Sequence, residues 1–473
     1  MGQFPIYFER MRKEGCKGME FREILEHRPL RTLVNPFDFF SELLRADSDQ
    51  VIHMVLYFDG TIDAGKMQNA VTNAILAEPV CHSRLVEADD TLWWVLLATV
   101  NPKDCFSVLE KTSPSSALSW ALSETIDPCK GPQVRVFLIQ PEGGTGDILV
   151  INACHVAMDG RGLKDMAGLI LELYHLIPED PSLVIGKNPG VSQDLPLISK
   201  LIPFEGASVP SGNLLPGAGR WIFPGGSCGG HYPAHAVMTI PMSRVASIHS
   251  IRKELGVTLN DLLLAIVALA RANLEGQTPS PQCSLLNTID LRRYCPVTGR
   301  SVTNYSTAFE VKVPVSPVDT LSSLSMVVHE IMENKKSAFP GMNDALDAEL
   351  LWKSGISAAR ETVRNRKTDP DNHETKIPIF TNTGIIDLER TNHCYPRVRN
   401  AWLLPCLAPP PAFFIAISTF NDTLTISATY HSPAFADEQV RKFFELINRF
   451  LPGYTNPGDE CVYQLIPLIK PAQ

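Results

Sequence analysis

The feature that most restricts how this chain can fold is an apolar run that ends in a histidine and is followed by a helical pattern. Ile148–Ala153 has the length and the β-branched content of a buried strand. Cys154 and His155 follow it, and apolar residues in Leu163–Leu176 then recur at helical spacing. We therefore predict a strand, a tight connection and a helix. A short connection on a rigid scaffold can hold a catalytic side chain.

Length, charge and hydropathy exclude several classes of protein. A chain of 473 residues is too long for one ordinary core, so two to three domains are expected. The net charge of −9 argues against a protein that binds nucleic acid or an anionic membrane, although a local basic patch is still compatible with a phosphorylated co-substrate. The longest apolar run, Leu262–Ala270, is too short for a membrane span.

The N-terminal segment and the cysteines are informative about the cellular location of the protein. Met1–Arg31 carries charges throughout and no continuous apolar core, so we expect no signal peptide. The eleven cysteines are an odd number, and none form a C-x-x-C pair. This pattern is typical of reduced, buried thiols rather than of a disulfide or zinc framework, so we expect a cytoplasmic protein.

Strands and helices are predicted to alternate in both halves of the chain, which favours an α/β sandwich in each half. In the first half the predictions are a strand at Val51–Phe58, a helix at Ile62–Leu76 capped by Asp63, and a hairpin in Pro79–Leu97 that turns at Ala88–Asp90. In the second half they include helices at Leu321–Lys335 and Asp344–Arg364, a hairpin in Ala412–Tyr430 and a final helix at Asp437–Phe450, with a further segment at Ile377–Ile386 before the hairpin.

A stretch rich in proline and glycine separates the two halves. It ends in Phe223-Pro-Gly-Gly-Ser-Cys-Gly-Gly230 and has no regular hydrophobic period. We therefore predict an N-terminal lobe at 1–177, a crossover linker at 178–232 and a C-terminal lobe at 233–473.

Three residues of the central stretch are candidates for chemistry. A histidine titrates near neutral pH, so His155 is suited to take a proton from an attacking hydroxyl or amine and return it to a leaving thiolate. Asp159 has two interpretations: an N-cap of the following helix, or a buried carboxylate paired with an arginine. Gly160 would allow a backbone conformation that residues with a Cβ avoid.

The segment Cys154-His155-Val-Ala-Met-Asp159-Gly160 resembles the active-site motif of the chloramphenicol acetyltransferase-like superfamily. This superfamily includes condensation domains of nonribosomal peptide synthetases, plant BAHD acyltransferases, alcohol acetyltransferases and mycobacterial polyketide-associated acyltransferases. The resemblance covers about residues 29–455 and includes Ser83-Arg84-Leu85 and Thr258-Leu-Asn260-Asp261. One departure is Cys154, where many members have a second histidine.

The resemblance implies two chloramphenicol acetyltransferase-like α/β sandwich lobes that form a pseudo-dimer with a tunnel between them. His155 would be the general base, and Asp159 and Gly160 would be structural. Asp159 would pair with Arg292 of the second lobe, or with Arg293 as the fallback. Asn304 matches an asparagine near the tunnel and could donate to an oxyanion, or it could be an ordinary turn residue. Asn382, in Thr381–Gly384, could line the tunnel.

The function expected from these features is transfer of an acyl group from a thioester to a hydroxyl or amine of a small-molecule acceptor. The donor would be acyl-CoA or a phosphopantetheinyl thioester on an acyl carrier protein. Attack would be direct, because adjacent side chains on a strand point to opposite faces, which makes Cys154 a poor nucleophile beside His155.

No permanently bound cofactor and no metal are expected, since the histidines of the second half lack ligand spacing. A monomer is expected because both lobes are in one chain. Two alternatives stay open: a stand-alone condensation-type enzyme that forms amides or cyclises its substrate, and a catalytically silent homologue that docks onto a carrier protein.

Overall fold

The computed structural model describes most of the chain. The described residues are 31–144, 146–176, 195–201, 223, 232–274, 281–295, 299–337, 339–368, 377–388, 395–408, 413–432, 434–453 and 461–467. The first thirty residues and most of the predicted linker lie outside these ranges, as do His231, His373 and His393.

The described strands, in chain order, are β1 (Arg31–Leu33), β2 (Val51–Phe58), β3 (Ser83–Ala88), β4 (Thr91–Leu96), β5 (Phe106–Thr112), β6 (Val134–Pro141), β7 (Ile148–Cys154), β8 (Tyr232–Ile240), β9 (Gln282–Asp290), β10 (Ser306–Pro314), β11 (Ile379–Ile385), β12 (Val398–Leu404), β13 (Phe414–Phe420), β14 (Thr423–Ser432) and β15 (Val462–Pro467).

The described helices are α1 (Pro36–Arg45), α2 (Ala64–Ala77), α3 (Pro102–Cys105), α4 (Pro114–Ser123), α5 (Gly160–Leu176), α6 (Ile198–Leu201), α7 (Met242–Glu254), α8 (Leu259–Ala272), α9 (Leu321–Lys336), α10 (Met342–Ser354), α11 (Ile356–Thr368) and α12 (Asp437–Phe450), with a short 3₁₀ helix at Leu291–Tyr294.

The described strands form three sheets, and the predicted α/β class is confirmed. A five-stranded sheet has the order β12-β2-β7-β6-β5, so β7 is its central strand. A seven-stranded sheet has the order β10-β9-β11-β13-β14-β8-β15, and a small sheet has the order β1-β4-β3. The strand β7 pairs antiparallel with both neighbours. All of its residues are buried, so both of its faces are covered, which explains why its sequence is almost continuously apolar.

Two large hydrophobic cores correspond to two lobes, but the C-terminal half contributes to both. β12 pairs antiparallel with β2, with Leu404 opposite His53. Ile356 and Ala359 of α11 are fully buried in the first core, against residues of the N-terminal half. The boundaries at 177 and 232 stay a prediction, and the first lobe is completed by residues far along the chain.

Local patterns predicted several elements well. Val51–Phe58 is a strand as predicted, and Asp63 caps α2 by accepting a hydrogen bond from the backbone N–H of Lys66. The β3–β4 hairpin turns at Asp89 and Asp90, both with positive φ, as two-residue hairpin loops require.

Other predictions were wrong or incomplete. The helix predicted over Asp344–Arg364 is two helices, since Gly355 has φ 86° and ends the first. The strands β1, β5, β12 and β15 were not predicted. β5 and β15 are edge strands, and β12 pairs only with a strand more than 300 residues away in sequence.

None of the single helices in the described ranges is long and apolar enough to cross a membrane. Only together are α7 and α8 as long and apolar as a membrane span, and the two helices are bent by 104° relative to each other.

A third, smaller core joins the two lobes and contains two buried histidines. It packs Val55 and Phe137 of the first sheet against Val237 of β8. His53 and His235 lie there with ring centroids 6.2 Å apart. Burial lowers the pKa of His53 to about 4 and that of His235 to about 3.

The two histidines differ in their hydrogen bonds. The Nδ1–H of His53 donates to Asn152 Oδ1 at 2.8 Å, and Asn152 Nδ2 donates to the carbonyl of Ala121. Neither ring nitrogen of His235 has a hydrogen-bond partner among the described residues. Burial is the largest cause of the lowered pKa of His235, and the nearby His53 lowers it further.

From the lowered pKa values of these two histidines, we predict that the protein loses stability in mild acid. An unfolded chain binds protons at histidine below the ordinary pKa of 6.5, whereas the folded protein does not until about pH 4. Stability therefore falls as the pH drops below 6.5, by about 1.4 kcal/mol per pH unit for each histidine. Urea unfolding at pH 7.5 and pH 5 measures this loss.

His235→Leu tests the assignment, because leucine has a similar volume and no proton to bind. We expect the difference in unfolding free energy between pH 7.5 and pH 5 to shrink by about 2 kcal/mol. An unchanged difference would show that His235 titrates normally in the folded protein.

Candidate active site

The strand β7 delivers His155 to the point where the two halves of the chain meet. Cys154 is the last residue of the strand, opposite Val51 of β2. The backbone N–H of His155 then donates to the carbonyl of Gln50 at 2.6 Å, which continues the ladder by one bond. His155 is half-buried.

Asp159 both caps the following helix and pairs with an arginine, the two roles considered for it. Its Oδ1 accepts hydrogen bonds from the backbone N–H groups of Arg161 at 3.1 Å and Gly162 at 3.0 Å, which caps helix α5. Its carboxylate also binds the guanidinium of Arg292, with Nη1 2.8 Å from Oδ2 and Nη2 3.2 Å from Oδ1. Burial raises the pKa of Asp159, but the charge of Arg292 and these hydrogen bonds outweigh it, so the pKa lies below its ordinary value.

Arg292, not Arg293, makes this contact. Arg292 lies in the 3₁₀ helix after β9 and is 9% exposed, whereas Arg293 points to solvent over the ring of Tyr294. The guanidinium of Arg292 also donates to the carbonyls of Ser301 at 3.2 Å and Thr303 at 2.9 Å. One buried side chain therefore connects the start of α5 to the segment 301–305 of the other half.

Asn304 lies in that segment and contacts His155 directly. Its Nδ2 donates to the backbone carbonyls of His155 and Val156, the latter at 3.1 Å. Those two acceptors fix the orientation of the amide, so its oxygen faces His155 Nδ1 at 3.1 Å. An oxygen can only accept, so in this arrangement His155 Nδ1 carries a proton, and in the neutral ring the lone pair is then on Nε2.

This geometry corrects one expectation. Asn304 was a candidate donor to an oxyanion, but both hydrogens of its Nδ2 are already directed at backbone carbonyls. Its position instead suits it to fix the tautomer and the orientation of the His155 ring. The sequence could not distinguish these roles, because they differ only in where the two ends of the amide point.

Asn382 does not join this group. It lies in β11 at an irregularity in the pairing with β13, and its side-chain oxygen accepts from the backbone N–H of Gly384. The neighbouring Thr383 is the residue that the first half contacts, since Lys164 Nζ donates to its carbonyl at 2.6 Å. Lys164, which the sequence gave no reason to select, therefore ties α5 to β11.

The expectation for Gly160 was wrong, and Gly162 is the restricted glycine. Gly160 is the first residue of α5 and has no positive φ; a Cβ there would meet only ordinary contacts, at 3.8 Å and beyond. A Cβ on Gly162 would lie 2.9 Å from the Cβ of Met158 and 3.2 Å from the backbone nitrogen of Thr303. The close approach of α5 to segment 301–305 therefore requires glycine at 162.

Two further observations bear on chemistry. The Cys154 side chain is buried, and burial raises the pKa of its thiol to about 12, so it is not a thiolate at neutral pH. Within the described ranges, no cluster of three or more histidine, cysteine or acidic side chains could hold a metal ion.

Solved structures with the same architecture are numerous, although no protein family model matches the chain and no curated protein matches it. The trichothecene 15-O-acetyltransferase from Fusarium sporotrichioides aligns with a TM-score of 0.66 and 14% identity, over 89% of this chain and 94% of that chain. Polyketide synthase associated protein 5 from Mycobacterium tuberculosis aligns with a TM-score of 0.61 and 13% identity, over 88% and 98%. The first condensation domain of the CDA synthetase aligns with a TM-score of 0.59 and 13% identity, over 92% and 99%.

This chain has the two-lobe fold of these solved structures. At these identities the likeness establishes the fold alone, and the activity of each neighbour is its own. The fold expected from the His155–Gly160 motif is thereby confirmed over nearly the whole chain.

We predict a large loss of stability when one partner of the buried pair Asp159–Arg292 is removed. Arg292→Met leaves the carboxylate of Asp159 buried without its counter-charge, which should lower the free energy of unfolding by about 3–5 kcal/mol. The adjacent Arg293→Met is the matched control and should change it by less than about 0.5 kcal/mol, because that side chain is exposed. Equal losses in urea unfolding would contradict the assignment.

The two glycines form a second matched pair. Gly162→Ala should lower the free energy of unfolding by about 1–3 kcal/mol, since its Cβ must displace backbone or strain α5. Gly160→Ala should be neutral or stabilise by less than about 1 kcal/mol, because alanine is the better helix residue. Thermal unfolding of both variants would refute this ranking if Gly160→Ala were the more damaging.

Proposed function

We propose that this protein is an acyltransferase that moves an acyl group from a thioester to a hydroxyl or amine of a small-molecule acceptor. The observation that carries the proposal is the pairing of His155 with Asn304. The Nδ1–H of this half-buried imidazole is held by an amide oxygen 3.1 Å away, which in the neutral ring leaves the Nε2 lone pair available for a proton.

In the proposed reaction, His155 Nε2 takes the proton of the acceptor as its oxygen or nitrogen attacks the thioester carbonyl. A tetrahedral oxyanion forms, and a backbone amide near the motif is the candidate to stabilise it. The intermediate then expels the thiolate, which receives the proton from the imidazolium. The Asn304 oxygen accepts from Nδ1–H throughout and stabilises the imidazolium.

Direct attack is favoured over a covalent acyl-enzyme. The nearest nucleophilic side chain in sequence is Cys154, and burial holds its thiol in the protonated form. The donor would be acyl-CoA or a phosphopantetheinyl thioester on a carrier protein, with donor and acceptor entering a tunnel between the lobes from opposite faces. A cytoplasmic location, a monomer and the absence of a bound cofactor belong to the same proposal.

Release of free thiol from a panel of acyl-CoAs and acylated carrier proteins, with mixed alcohol and amine acceptors, tests the proposal. We expect acceptor-dependent release that falls by about 10²–10⁴-fold in His155→Ala, the range lost with a general base. Cys154→Ala should retain activity, because no acyl-enzyme forms. His249→Ala, on α7 and outside the site, is the control for loss of a histidine.

The outcomes separate the alternatives. Transfer confined to amine acceptors, or cyclisation of the donor, would assign the protein to the condensation-type reactions. A folded protein that binds carrier protein but releases no thiol from any donor would overturn the proposal in favour of the docking role.

A further inference from the structure

The seven-stranded sheet turns one of its faces towards the first lobe. On β11, Phe380 is fully buried in the second hydrophobic core, whereas Ile379 packs against the first core. Successive side chains of a strand lie on opposite faces, so Thr381 is on the same face as Ile379. This face of β11 therefore lies towards the core of the lobe that carries His155.

Side chains of β9, β10 and β11 form two rows across this face. In the first row, Thr381 contacts Thr288, and the register of the strands places Thr288 opposite Ala308. In the second row, Ile379 lies beside Leu286. All five residues are half-buried. A row that carries two hydroxyl groups thus adjoins an apolar row.

The hydroxyl row is close to the candidate active site. Thr383 follows Thr381 by two residues, and its methyl group lies 3.8 Å from the position of a Cβ on the first residue of α5. Asp290 follows Thr288 by two residues and accepts from Arg292 Nη1 at 2.9 Å. Two residues of a strand span about 6.6 Å. The two hydroxyl groups therefore lie one such step along the sheet from residues that contact the motif and its buried arginine.

The hydroxyl groups of Thr288 and Thr381 have different roles in their hydrogen bond. Thr288 Oγ1 donates to Thr381 Oγ1 at 2.6 Å. The hydrogen of the Thr381 hydroxyl has no acceptor among the residues that the structure describes. A hydroxyl group can donate one hydrogen bond and accept two, so Thr381 can still donate. Because Thr381 already accepts from Thr288, a bond that it donates is strengthened.

The charged residues next to the two rows are paired, which favours a neutral ligand. Glu310 lies opposite Leu286 and is 3.4 Å from Lys312 on the same strand. Asp290 is held by Arg292. Within the two rows, the groups that can contact a ligand are then the hydroxyl donor of Thr381 and the apolar side chains beside it. They fit a neutral oxygen with an apolar neighbour.

We propose that Thr381 is a substrate-binding residue, whose hydroxyl donates a hydrogen bond to a neutral carbonyl, ether or hydroxyl oxygen of a reactant. The apolar part of the same molecule packs on Leu286 and Ile379, and Thr288 orients the Thr381 hydroxyl. That this molecule is the acyl donor or the acceptor rests on the proposed function. The row makes the site selective for a reactant that carries an oxygen at one position.

Matched reactants that differ by one oxygen test this role. The donor pairs are methoxyacetyl-CoA and acetoacetyl-CoA, each against butyryl-CoA. The acceptor pairs are ethoxyethanol and methoxypropanol, each against pentanol, together with the corresponding amines. We expect the parent to prefer the oxygen-bearing member of at least one pair in kcat/KM by about 3- to 10-fold, the effect of one hydrogen bond. A preference among the donors identifies the donor as the ligand of Thr381, and one among the acceptors identifies the acceptor.

Thr381→Val keeps the shape of the side chain and removes its hydroxyl. The preference should fall below about twofold in this variant and persist in Thr381→Ser, which retains the donor. A merely structural effect of Thr381→Val would lower the activity on both members of a pair equally. Thr307→Val is the matched control and should keep the preference, because Thr307 adjoins Ala308 on β10 but lies on the opposite face of the sheet, against Gly341.

Equilibrium affinities for the same pairs separate this role from the proposed function. Calorimetry measures the binding of the thioesters, and ligand-observed NMR measures that of the alcohols and amines. If the parent releases no thiol from any donor, the proposed function fails, but a preference in binding that Thr381→Val abolishes still establishes the site. The proposal is overturned if the parent prefers no oxygen-bearing reactant in either binding or turnover, or if the preference persists in Thr381→Val.

Discussion

The buried pair of Asp159 and Arg292 is the interaction on which the site depends. Taking two charges out of water costs several kcal/mol each, so such a pair is stable only if every remaining donor and acceptor is satisfied. Here the carboxylate accepts from three backbone N–H groups as well as from the guanidinium. The guanidinium in turn holds the carbonyls of Ser301 and Thr303. The result is a fixed distance between the start of α5 and the segment 301–305.

His155 and Asn304 are positioned by that pair from opposite sides. His155 lies four residues before Asp159, and Asn304 lies next to Tyr305, whose backbone N–H donates to the same carboxylate at 2.9 Å. The hydrogen bond between imidazole and amide is thus formed across the junction of the two halves. The lobes are further tied by Lys164 and by β12, which belongs to the C-terminal half but completes the first sheet.

The fold does not determine which reaction this protein catalyses. Proteins with this architecture include an acetyltransferase and a condensation domain, so the scaffold alone does not choose between them. What this chain adds is an imidazole whose Nδ1 faces the amide oxygen of Asn304 at 3.1 Å and a neighbouring thiol that burial keeps protonated. The proposed role of His155 as a base rests on the first of these.

The sequence by itself determined the features that depend on near neighbours. The strand before His155, the cap at Asp63 and the hairpin at Asp89–Asp90 follow from hydrophobic period and turn chemistry, which act within a few residues. The motif from His155 to Gly160 also indicated the superfamily fold and pointed to Arg292. The requirement for glycine was assigned to the wrong residue, because a close approach between α5 and Thr303 cannot be read from either segment alone.

Only the tertiary structure decided the rest. Three features depend on contacts between residues that are tens to hundreds of positions apart in the sequence. They are the orientation of the Asn304 amide, the pairing of β12 with β2, and the burial of Asp38 against Trp94. The chemical character of these groups follows from which groups surround them and from how far water is excluded. The sequence specifies the residue types, whereas packing in the folded protein determines the protonation state and the orientation of their side chains.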